Sequence, residues 1–161
     1  MSLTNVYFSK LNKQAVIPTK RVEDAGYDLY SVLSHPIVLS PGETRLIPTG
    51  LCSSFSSDYV AVVKERGSTG SKGLGVRAGI IDSGYRGEWF VALTNHNAKP
   101  LVIGPDDVKL GDDVMYYPWS KAIAQFLFLP VPSLNIVEVG VEAIQASESE
   151  RGRGALGSSG K

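Results

Sequence analysis

The sequence predicts a single all-β domain of the sandwich or barrel type, and three observations lead there. Short runs rich in β-branched and aromatic residues recur along the chain. Seventeen glycines and nine prolines are spread between them as turn signals. Helical periodicity is scarce throughout.

The runs, in order, are Thr4–Phe8, Ile37–Leu39, Thr44–Pro48, Tyr59–Lys64, Trp89–Asn95, Ile123–Val131 and Leu134–Val139. Ser40-Pro41-Gly42, Ser83-Gly84, Gly104-Pro105-Asp106-Asp107 and Leu110-Gly111-Asp112-Asp113 punctuate them as turns. Ser68–Leu74 has room for a short helical turn, but Gly67, Gly70 and Gly73 oppose a long helix. From Ser147 the text changes to SESERGRGALGSSGK, with almost no apolar area. Such a segment cannot offset its own ordering entropy, so a mobile arm over 147–161 is expected to follow a β domain over 1–146.

Composition narrows the function. With 161 residues and 43% hydrophobic content the chain suits one cored domain. Sixteen basic residues balance sixteen acidic ones, which argues against a broad nucleic-acid or anionic-membrane surface. A small phosphorylated ligand needs only a local cluster of donors. The lone Cys52 allows no internal disulfide and no cysteine zinc site. No stretch approaches the roughly 18 apolar residues of a membrane span. The first residues lack a signal-peptide core, so a cytoplasmic protein is expected, or one in the host cytoplasm if the source is viral.

Five segments carry chemistry. Ala25–Ser31, AGYDLYS, fixes one carboxylate, Asp28, after a glycine. Arg66–Leu74, RGSTGSKGL, has the makings of a phosphate cradle: glycines that let backbone N–H groups approach, the hydroxyls of Ser68, Thr69 and Ser71, and a forked guanidinium. It is not a Walker A loop, because Gly-Lys-Ser/Thr is absent. Gly79–Gly87, GIIDSGYRG, ends an apolar strand on Asp82, a position that favours a partly desolvated general base acting on water. Tyr85 beside it can stack on a sugar or base. Gln125 interrupts the apolar run 123–129 and needs a polar partner, either ligand or backbone. The tail, Arg151–Lys161, offers arginines, glycines and serines as a second phosphate wrap, able to close as a lid. His35 and His96 have no companion at metal spacing, and no nucleophile elbow is present. A hard cation held by phosphate and a carboxylate, Mg2+, fits better.

These segments, in this order, resemble the five motifs of the trimeric dUTP pyrophosphatases, from about Val16 to the end of the chain. AGYDLYS and GIIDSGYRG are the specific matches. The resemblance implies a distorted β jelly-roll subunit, a homotrimer with three shared active sites, and Mg2+-dependent hydrolysis of dUTP to dUMP and pyrophosphate. It implies that Asp82 activates the attacking water. Asp28 serves the metal, through water, while the triphosphate itself holds most of the Mg2+. Arg66, with Gly67 and Ser68, faces the phosphates, as does Gln125. Gly79, Ile80 and Ile81 read uracil through their backbone, and Tyr85 packs under the deoxyribose. In the tail, Arg151, Ser158 and Ser159 clamp the β- and γ-phosphates, with Leu156 and Gly157 beside them.

Four departures from the family pattern stand out. Arg66-Gly67-Ser68 replaces Arg-Ser-Gly, so the serine's role passes to Ser68 or Ser71. Ser120-Lys121-Ala122 replaces the Gly-Asp-Arg before Ile123. Leu156 stands where a phenylalanine usually stacks on uracil. Lys99–Trp119 is longer than the usual link and reads as a surface excursion without chemistry. Two alternatives are weighed against this reading. A dCTP deaminase of the same fold would need a glutamate where this chain has Ala92. A nucleotide-sensing regulatory domain with a protein partner is the other, and the intact Asp28, Arg66, Asp82 and Tyr85 set argues for retained catalysis.

Overall fold

The structure, a computed structural model, describes residues 4–106, 108 and 111–154. Twelve strands among these residues form four small sheets. β1 (Tyr7–Lys10) pairs with β5 (Leu51–Ser54), and β3 (Ile37–Leu39) with β10 (Leu101–Gly104), which in turn pairs with β11 (Met115–Pro118). β4 (Thr44–Pro48), β9 (Phe90–Asn95) and β7 (Leu74–Arg77) make a third sheet. The fourth runs β2 (Tyr27–Leu29), β12 (Ala124–Pro130), β6 (Tyr59–Lys64), β8 (Ile80–Ile81). All pairings are antiparallel except β10 with β11. The architecture is the jelly-roll-like all-β fold that the sequence predicts.

Alternation along the strands builds the core. In β9, Val91 and Leu93 are buried while Phe90 between Trp89 and Val91 faces out. Aromatic rings interlock at the centre: Trp89 meets Phe126 and Phe8 edge-on at 5.0 and 5.2 Å, and Tyr27 stacks on Phe126 at 5.4 Å. Asn95 is the buried polar hub, donating to the carbonyls of Leu39 and Lys99 and accepting from the Asn97 N–H.

Three features differ from expectation. Leu134–Val139, read as a strand, has no strand pairing; Leu134 and Ile136 are 78% and 96% exposed. An apolar β pattern specifies a strand only where a partner edge is present, and none of the described strands pairs with it. A short helix, α2 (Val141–Gln145), follows. Lys99–Trp119 is not a mere excursion. It carries β10 and β11 and buries Leu101, Ile103 and Tyr117 in the core. The alternating Leu101-Val102-Ile103 is itself a half-buried strand pattern.

Candidate active site

Two clefts collect the predicted residues. The first, about 860 Å3, is lined by Asp28, Arg66, Gly67, Ser68 and Gln125, with the 19–26 loop as its rim. Strand register explains the gathering. Gln125 of β12 lies opposite Asp28 of β2 on one side and Lys64 of β6 on the other, and Arg66 begins the turn that follows β6. That turn is α1 (Gly67–Gly70), closed by the buried Thr69, whose hydroxyl accepts from the Arg66 N–H at 3.0 Å. The glycine-rich segment thus holds a four-residue helical turn and no long helix, as its composition predicts.

Arg66 is held on three sides. Its Nε lies 2.8 Å from Asp28 Oδ1 and its Nη2 3.4 Å from Oδ2. Nη1 donates to the Ala122 carbonyl at 3.3 Å and to Ser68 Oγ at 3.4 Å. This forked pairing fixes the plane of the guanidinium while leaving it at the cleft wall. Gln125 Nε2 donates to the Glu65 carbonyl at 2.8 Å, and its side chain packs on Gly26, where a Cβ would collide with it. The polar interruption in β12 thus locks the residue preceding Arg66. Glu65 adds a second lock, accepting from the Val76 N–H at 2.7 Å. Burial pushes its carboxyl up, but that bond and Lys64 outweigh the burial and hold it below the usual value.

The second cleft, about 280 Å3, is lined by Gly79, Ile80, Ile81, Asp82 and Tyr85, together with Leu46, Glu88, Phe90 and Ala92. β8 pairs with β6, setting Ile80 opposite Val62 and Ile81 opposite Ala61. Gly79 has φ 92°, and a Cβ there would lie 2.5 Å from the Val63 carbonyl, so only glycine fits. Ala78 beside it sits at φ 58°, a left-handed conformation unusual for a non-glycine residue. The turn is closed by the Tyr85 N–H donating to the Asp82 carbonyl at 3.0 Å. Tyr85 folds back over Gly87, where a side chain would strike its ring, and its hydroxyl donates to the Glu88 carbonyl at 2.9 Å. Asp82 is exposed in the single chain, not partly desolvated as its place in the sequence suggests, because none of the described residues covers that end of the strand.

The clefts share no lining residue. One chain therefore brings Asp28, Arg66, Gly67, Ser68 and Gln125 together, and separately Gly79, Ile80, Ile81, Asp82 and Tyr85. Arg151 lines neither; its Nε donates to the Gly154 carbonyl in an exposed turn. Leu156, Gly157, Ser158 and Ser159 lie outside the described residues. Sequence reasoning missed Glu65, Glu88, Phe90 and Tyr117. Glu65 bonds the Val76 N–H, Glu88 the Gly50 N–H and Tyr117 the Ala122 carbonyl, while Phe90 is placed by strand pairing, and no local sequence pattern marks any of them.

The comparisons agree with this geometry. The family model described as dUTPase matches residues 12–107. A deoxyuridine 5'-triphosphate nucleotidohydrolase of Clostridioides difficile is 37% identical, covering 97% of this chain and 98% of its own. The enzyme of the same name from Serratia proteamaculans is 34% identical over 94% and 91%. Among solved structures, a Staphylococcus bacteriophage 80alpha dUTPase mutant with dUpNHpp is 27% identical, covers 96% of this chain and 98% of its own, and superposes with a TM-score of 0.73. Matched over more than half its length by the family model and over nearly all of it by such relatives, the chain belongs to the dUTPase family.

Proposed function

We propose that this chain hydrolyses dUTP to dUMP and pyrophosphate, at sites completed between the subunits of a homotrimer. The observation that carries the proposal is the division of labour between the clefts. One offers cationic and hydroxyl donors suited to a triphosphate; the other offers backbone groups, a tyrosine and the exposed Asp82 carboxylate suited to a nucleoside and a water. Neither is sufficient alone, and in one chain they share no lining residue, so a whole site draws on two copies. The apolar segment after β12 supports the same reading: Leu134, Ile136, Val137, Val139 and Ile144 are all at least half exposed and suit burial against a neighbour.

In this mechanism Gly79, Ile80 and Ile81 bind uracil through main-chain groups, and Tyr85 supports the deoxyribose. Asp82 orients a water and takes its proton as the water oxygen attacks the α-phosphorus. The bond from the α-phosphorus to the bridging oxygen breaks, and pyrophosphate leaves. Arg66, Ser68 and Gln125 hold the phosphates and meet the growing negative charge. The tail, with Arg151 and Ser158 and Ser159, closes over the phosphates. Mg2+ fits as a triphosphate-borne ion. Among the described residues no cluster of three or more metal-ligating side chains exists, and Asp28 lies at the cleft wall beside Arg66, with Glu23 and Asp24 on the rim. Asp28 would hold the ion through water, and the ion would neutralise phosphate charge there. Ala92 lines the nucleoside cleft with a methyl group, which cannot shuttle the protons of deamination. Among the described residues no helix is long and apolar enough to cross a membrane; a cytoplasmic location, where free deoxynucleotides are found, belongs to this proposal.

The test is pyrophosphate release measured in parallel with dUTP, dCTP, dTTP and UTP. Release from dUTP alone supports the reading. Ammonia from dCTP, or equal release from all four, would overturn it.

A further inference from the structure

Tyr117 is a buried tyrosine that the mechanism above does not use. It is 3% exposed, and it stands on β11, in the segment longer than the family's usual link. Its hydroxyl donates to the Ala122 carbonyl at 2.6 Å. The same carbonyl accepts from Arg66 Nη1 at 3.3 Å. A carbonyl oxygen has two lone pairs, and here one serves the tyrosine and one the guanidinium. Ala122 is itself buried and precedes Ile123, whose N–H donates to the Leu29 carbonyl next to Asp28. Tyr117 thus braces from behind the acceptor that, with Asp28, sets the plane of Arg66. The cost of burying a phenol hydroxyl is offset only where it finds such a partner.

We propose that Tyr117 is a positioning residue for Arg66. It fixes the Ala122 carbonyl, the carbonyl orients the guanidinium, and the guanidinium meets the phosphates. This rests on the reading of Arg66 as a phosphate-binding residue. Tyr117 does not touch substrate in this scheme; it lines neither cleft.

Tyr117→Phe keeps the ring and its packing and removes only the hydroxyl. Measured on the full-length oligomer, the expected result is a roughly three- to tenfold loss in kcat/KM for dUTP and a matching weakening of dUpNHpp binding, the size of one hydrogen bond's influence. Binding of deoxyuridine, which has no phosphate, should not change. The decisive readout is a double-mutant cycle with Arg66→Lys, which keeps the charge but loses the fork. If Tyr117 acts through Arg66, adding Tyr117→Phe to Arg66→Lys costs little or nothing further. If the two losses multiply, or if Tyr117→Phe lowers the melting temperature while kcat/KM and dUpNHpp binding stay at wild-type values, Tyr117 is a core residue only and the inference is overturned. Pyrophosphate release by the wild type tests the functional reading separately, so the two failures are distinguishable.

Discussion

Residues in the two clefts divide into those proposed to meet substrate and those that hold them. Asp82→Asn removes the proposed base and keeps the shape. It should cut turnover by about 10²- to 10⁴-fold while dUpNHpp still binds, which calorimetry on the variant checks. Full turnover in Asp82→Asn would place the base elsewhere. Ala78 and Gly79 are the backbone counterpart. Gly79→Ala should abolish nucleoside binding, since its Cβ would press on the Val63 carbonyl behind the hairpin. Ala78→Gly relieves the left-handed strain at φ 58°, so thermal melting should show no loss of stability, against the usual cost of introducing glycine. Tyr117 carries a pH consequence. Burial first of all, against the opposing effect of Arg66, raises its phenol above the usual value. A raised folded-state value means stability that is present below the ordinary tyrosine pKa of about 10 and lost as pH rises through the folded one. Wild type should therefore lose stability above about pH 10 more steeply than Tyr117→Phe, as melting curves against pH would show.

At the scale of elements, local motifs are legible in the sequence and long-range pairings are not. AGYDLYS and GIIDSGYRG each lie within seven to nine consecutive residues, so Asp28, Asp82 and Tyr85 can be singled out from the sequence alone, and each lines one of the two clefts. The contacts that are not legible depend on the fold, which brings Ala122 against Arg66 across 56 residues. Tyr117 reaches the carbonyl beside Arg66 from an unfamiliar segment, and Glu65 joins the entry of α1 to β7 through Val76. Strand patterning also says nothing about whether a partner exists, which is why Leu134–Val139 reads as a strand and has no pairing. The Glu65 bridge is testable. Its carboxyl is held below the usual value, so its contribution is present above the ordinary carboxylate pKa and lost as pH falls through the lowered one. Glu65→Gln should flatten the loss of stability between about pH 5 and 3. An unchanged acid limb would mean the bridge adds nothing. The tail is expected to behave differently from the core. Among its described residues, Arg151 bonds only to Gly154 and Arg153 to Gln145 of the adjoining helix. Deleting 151–161 should cripple turnover and leave the melting temperature nearly unchanged; a large drop would make the tail structural instead.

For the whole molecule, the exposed carboxylate of Asp82, the separate clefts and the uncovered apolar segment after β12 find one explanation in a shared site. A neighbour's phosphate cleft brought against the nucleoside cleft would cover Asp82 and supply the desolvation that the single chain lacks. Arg66 and Asp82 would then serve the same reaction from different subunits. The most direct test is complementation. Arg66→Ala and Asp82→Asn, each inactive alone, are mixed in equal amounts, unfolded together and refolded into mixed oligomers, and pyrophosphate release from dUTP is measured. Shared sites predict recovery of up to about a quarter of wild-type activity, because random mixing gives half the chance of an intact Asp82 and half of an intact Arg66 at each site. Mixed oligomers that form and remain as inactive as their parents would contradict the account.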